Sequence, residues 1–165
     1  MKTVIKDDKI IVFLNKEKTQ NIDFNDEDKL EEYFKTIFSI LNKKYNIELN
    51  GYYNVDIYKD NNYGIILEIE NEQLDYYNYF NQIDMKINIS KDNTFLYEIK
   101  YEFLDNIFLK NTICYKYLDK IYLKVQDNID DITFAKLLEF SNVVYGEKIN
   151  DILKYSKKVS IWRKK

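Results

Sequence analysis

Glu98-Ile99-Lys100 is the short pattern with the most chemistry in it. On a strand, an acid two residues before a lysine puts both side chains on one face, where the carboxylate can bind a divalent metal and the ammonium can orient water. Metal-dependent nucleases and hydrolases use such a step, and here Asp84 or Asp92 would have to supply a further ligand. A second acidic group, Glu68, Glu70, Glu72 and Asp75 with Asp56 on the preceding strand, offers the hard oxygen ligands that magnesium or manganese takes. Both patterns are also what the polar face of a half-buried strand yields in a chain that is 32% charged. From these residues the sequence assigns no catalytic residue, no metal ligand and no cofactor.

Other chemistries lack their residues. The chain has no histidine, which removes the usual general base at neutral pH, the Ser/His and Cys/His nucleophile systems and the common nitrogen ligand of zinc, copper and iron. Cys114 is the only cysteine and sits between apolar neighbours, so no intrachain disulfide forms and the residue reads as core. The three glycines, Gly51, Gly64 and Gly146, are far apart, so no glycine-rich phosphate loop exists. A net charge of −3 argues against nucleic acid as partner, and the basic end Trp162-Arg163-Lys164-Lys165 with Lys157-Lys158 reads as solvated. The 16 tyrosines and 10 phenylalanines could stack on bases, but AT-rich codons favour Lys, Asn, Ile, Tyr and Phe together, and the chain holds only Ala135 for alanine and no proline. No secretory pattern and no run of about 20 apolar residues is seen, so the expectation is a cytoplasmic protein with no membrane association.

The elements that position these residues follow from periodicity. Val4-Ile5 and Ile10–Leu14 form a hairpin about residues 6–9, with the second strand, apolar on both faces, placed centrally. Leu30, Tyr33, Phe34, Ile37, Phe38, Leu41 and Tyr45 recur at spacings of three and four, the stripe of an amphipathic helix capped near Asn25. Tyr53, Val55 and Ile57 alternate, as do Tyr63, Ile65, Leu67 and Ile69; both sets face one core only if an odd-numbered turn joins them, with Asp60 or Asn61 left-handed. Met85, Ile87 and Ile89 with Phe95, Tyr97, Ile99 and Tyr101 read as a second hairpin about residues 90–93, and Ile113–Tyr117 with Ile121–Val125 as a third. Asp130 or Asp131 caps a helix carrying Phe134, Leu137, Leu138, Ser141 and Val144 that stops at Gly146; a short helix at 149–153 and a strand at 159–162 follow. The expected fold is α+β, a single antiparallel sheet with two main helices packed on one face, in one domain over residues 1–165.

Residues 95–160 resemble the carboxy-terminal domain of the MecA adaptor family, which delivers substrates to a Clp-type unfoldase. The resemblance lies in Phe95-Leu96-Tyr97-Glu98-Ile99, the aromatic hairpin Tyr115-Lys116-Tyr117 to Lys120-Ile121-Tyr122-Leu123, Tyr145-Gly146-Glu147, and Lys154-Tyr155-Ser156-Lys157-Lys158-Val159. The family's hairpin glycine is Asp119 here, the helix before Tyr145 is differently spaced, and the acidic interdomain linker is missing. The resemblance implies a non-enzymatic adaptor. The residues themselves point to a protein-interaction or regulatory protein whose partner is another protein, and leave open a small acidic immunity-type inhibitor or a metal-dependent nuclease or hydrolase using Glu98 and Lys100. Tyr52, Tyr58, Tyr76, Tyr77 and Tyr79 are the candidate partner-binding residues, because exposed aromatics in a weakly patterned region serve as interface anchors.

Overall fold

The computed structural model describes residues 1–6, 9–47, 50–72, 83–90, 94–106, 112–126 and 130–160. The chain forms two compact units, Met1–Ile57 with Gly64–Ser90, and Tyr58–Tyr63 with Lys91–Lys165. Among the described residues no helix is long and apolar enough to cross a membrane.

In the first unit β1 (Lys2–Lys6) and β2 (Lys9–Asn15) form the expected hairpin, and β2 lies inside the sheet. A four-residue helix, α1 (Lys16–Thr19), follows, its start capped by the Asn15 side chain accepting from the Lys18 amide. It is too short to show periodicity, and no pattern in the sequence announces it. The long helix α2 (Glu27–Tyr45) is capped one residue later than expected: Asp26 accepts from the Lys29 amide, while the Asn25 amide donates to Asp23. Asn46, left-handed at φ 53°, ends it. The predicted stripe is the buried one, with Leu30, Phe34, Ile37, Phe38 and Leu41 packed on Val12, Leu14, Val55, Ile57, Ile65, Leu67 and Ile69.

Three strands complete this sheet, β3 (Gly51–Asp60), β4 (Gly64–Glu72) and β5 (Ile83–Ile89), in the order β1-β2-β4-β3-β5. The β3–β4 connection is the three residues 61–63, and both alternating sets are buried, as an odd turn requires. The left-handed residue is neither Asp60 nor Asn61. Positive φ falls on Gly64 (+131°), where it costs least, and Asp60 instead shapes the turn through its side chain.

The single antiparallel sheet is overturned: the chain has two five-stranded sheets and four α-helices among the described residues. The break falls where a hairpin was expected. β5 pairs in parallel with β3, from Gly51↔Ile83 to Ile57↔Ile89, whereas the next strand, β6 (Leu96–Ile99), lies in the second sheet. Alternation reveals a strand's faces but not its neighbour, and residues 91–93 of the expected turn lie outside the described residues.

The centre of the second sheet is the third expected hairpin, β7 (Thr112–Tyr117) and β8 (Lys120–Val125), turning through Leu118 at φ 53° and Asp119. Asp130 caps α3 (Asp131–Phe140) by accepting from the Thr133 amide at 2.7 Å. This helix ends sooner than predicted. Ser141 takes extended angles, and Ser141–Val144 is a strand, β9, paired with β6, a conformation that suits the β-branched Val143-Val144. Gly146 therefore is not the stop of α3; it is left-handed at φ 70° ahead of α4 (Lys148–Tyr155). The last strand, β10 (Lys157–Val159), starts earlier than expected, and residues 161–165 lie outside the described residues. The sheet runs β10-β7-β8-β6-β9. The two main helices thus do not share one sheet: α2 covers the first sheet, while α3 belongs to the second unit, where Ile149 and Ile152 of the short α4 pack on Leu96, Tyr115 and Tyr122.

Candidate functional site

Glu98 lies on β6, opposite Tyr122 of β8 and Asn142 of β9. Its carboxylate meets Lys120 Nζ at 2.8 Å and 3.0 Å through its two oxygens, and the Tyr122 hydroxyl donates to it at 3.5 Å. The hydrogen bond to Glu98 holds the Lys120 ammonium above its ordinary pKa, and burial, then the Glu98 charge, raises that of the Tyr122 phenol. Lys100 stands past the end of the strand, exposed, 4.0 Å from Glu102. The cation that engages Glu98 is therefore Lys120 across the strand pair, not Lys100 two residues on. The available signal is an opposite charge on the diagonal, two residues along β8 from Tyr122, and it needs the β6–β8 pairing to be read.

Glu98, Lys100 and Lys120 border a groove of about 420 Å³ at the end of β6. Tyr101 and Phe103, in the 3-10 turn Tyr101–Asn106, line it with Asp119, Glu139, Phe140 and Asn142. The rings of Phe103 and Phe140 are 5.5 Å apart, Tyr101 is 60% exposed, and Leu118, at the neighbouring β-turn, is 75% exposed. Glu98, Asp119 and Glu139 share the groove, yet no group of three or more acidic or cysteine side chains among the described residues comes close enough to hold a metal ion. Neither further ligand considered for Glu98 is brought to it by these contacts: Asp84 is on β5 of the first unit, accepting from the Met85 amide, and Asp92 lies outside the described residues.

The other acidic group is interleaved with partners. Lys9 reaches Glu70 at 3.1 Å, and its ammonium is raised by that hydrogen bond and further by the charges of Glu68, Glu70 and Asp56. Asp56 accepts from Asn88 at 2.8 Å and Glu72 from Asn54. Asp75 lies outside the described residues.

Of the candidate tyrosines, Tyr76, Tyr77 and Tyr79 lie outside the described residues. Tyr52 is half-buried on β3. Tyr58 is half-buried too, its ring 4.7 Å from that of Tyr145, so it is not a freely exposed anchor. The structure draws attention instead to Tyr101, Phe103 and Phe140, which periodicity does not distinguish from core.

No protein-family model matches the chain, and comparison with curated proteins and with solved structures finds no significant match.

Proposed function

We propose that this chain is a non-enzymatic, partner-binding regulatory protein. The observation that carries the reading is the occupation of Glu98: Lys120 takes both of its oxygens, so the acid-x-lysine step forms a charged wall beside exposed aromatic surface. Aromatic anchors bordered by charge are the usual anatomy of a protein interface. The particular form, an adaptor for a Clp-type unfoldase, rests on the resemblance of residues 95–160, and it is supported by the fact that this stretch falls within one compact unit.

The test is capture with the tagged full chain from its own cells, with and without ATP, beside a Tyr101→Ala, Leu118→Asp variant. An ATP-dependent unfoldase retained by the parent and lost by the variant is the expected result. Retention of a toxin-like enzyme in its place would move the reading to an inhibitor. Divalent-metal-dependent hydrolysis by the purified chain, abolished by Glu98→Gln with the fold intact, would refute the proposal.

A further inference from the structure

The residues that close the β3–β4 hairpin, Tyr58–Tyr63, belong to the second compact unit. Tyr63 is 2% exposed and its ring meets three others of that unit: it stacks with Phe95 at 6.3 Å and Phe134 at 6.4 Å and meets Tyr97 edge-on at 5.3 Å. Tyr58 rests on Tyr145, and the space above Gly146 is filled by the Tyr58 ring, 3.1 Å from where a Cβ would stand. Between the two tyrosines Asp60, 7% exposed, uses both oxygens: Oδ1 accepts from the Asn62 amide and Oδ2 from the Phe95 amide, each at 2.8 Å. Phe95 stands immediately before β6, thirty-five residues away along the chain.

We infer that Tyr58–Tyr63 is a strap that completes the core of the second unit, with Asp60 as its latch onto the start of β6. Phe95, Tyr97 and Phe134 share Tyr63 as a ring neighbour, so without it they border a void of aromatic size. Residues 91–165 thus do not close a core unaided. The latch requires a group with two acceptors aimed at two backbone donors, which a carboxyl supplies and a carboxamide does not. An asparagine side chain in its place would turn its NH2 toward one of the two amides and leave that amide without an acceptor.

The test is hydrogen exchange on the full-length chain, comparing Asp60→Asn with the parent, together with the labelling rate of the buried Cys114 thiol on β7. Amides of β7 and β8 exchange about tenfold faster in the variant and Cys114 labels correspondingly sooner, while amides of β2 and β4 keep their parent rates. Equal acceleration in both sheets, acceleration confined to β2 and β4, or no change in either would overturn the inference. If the Asp60→Asn chain does not fold, Tyr63→Leu, which keeps an apolar side chain and removes the ring, is read by the same criteria.

Discussion

Gly64 opens β4 opposite Asn15, and its replacement by alanine gives the sharpest quantitative expectation from the fold. A Cβ there would stand 2.1 Å from the Leu14 carbonyl oxygen, 2.7 Å from the Asn15 carbonyl carbon and 2.9 Å from the Lys16 nitrogen, all of them backbone. No side-chain rotation relieves such contacts. The φ of +131° adds a conformational cost of about 1–3 kcal/mol for any residue with a Cβ. Moving β2 away to make room weakens the end of its ladder with β4, at about 0.5–1.5 kcal/mol for each hydrogen bond lost. Together these give a loss of about 3 kcal/mol or more, a large share of the roughly 5–15 kcal/mol typical of whole domains. Gly146→Ala is the control: its φ of 70° costs about 1–2 kcal/mol, and its obstacle is the Tyr58 ring, which can tilt. Urea unfolding, followed by circular dichroism and by exchange of the β2 and β4 amides, measures both. A Gly64→Ala chain within about 1 kcal/mol of the parent, or less perturbed than Gly146→Ala, would refute the reasoning.

Two further outcomes follow from buried polar groups. The Tyr97 hydroxyl is buried with no hydrogen-bond partner among the described residues, so Tyr97→Phe leaves stability unchanged or raises it by about 1 kcal/mol, read from the same urea curves; a loss of that size would reveal a partner. Burial raises the Asp60 pKa above its ordinary value, against the opposing pull of the Asn62 and Phe95 amides. The folded state therefore holds this proton more tightly than the unfolded chain. The contribution is fully present below the ordinary Asp pKa and is lost as pH rises through the raised one, so stability measured across that acidic window falls with pH more steeply than in Asp60→Asn; a parallel slope in the two proteins would contradict the assignment.

What the sequence made legible was local. The α2 stripe from Leu30 to Leu41 and the two alternating sets of β3 and β4 needed only a period and a parity, and both are fixed by backbone geometry. What it hid was partnership. Met85, Ile87 and Ile89 alternate whichever strand they join, and nothing local says that β5 would run parallel to β3. Ser141 and Val144 continue the spacing of Phe134 and Leu137, so the period extends a helix through residues whose angles are set by pairing with β6. The candidate site suffered likewise: Glu98 and Lys100 are neighbours in sequence, but the contact that defines Glu98 comes from Lys120 across the strands. Asp60 reads as a turn former, and its bond to the Phe95 amide is invisible without the tertiary fold.

The strand order of the first sheet also sets a timetable. β2 pairs not with the next strand but with β4, Lys9 against Glu70 and Asn15 against Gly64, with the whole of α2 synthesised in between. At the usual pace of translation, about 5–20 residues per second, the apolar strand Ile10–Leu14 waits seconds for that partner, shielded on one edge by β1 alone. Loops of this length also slow closure during refolding. The nascent chain is thus most vulnerable to mispairing before Glu70 emerges, and the lysines at both ends of β1, Lys2 and Lys6, put charge on the outer edge of the hairpin during that interval.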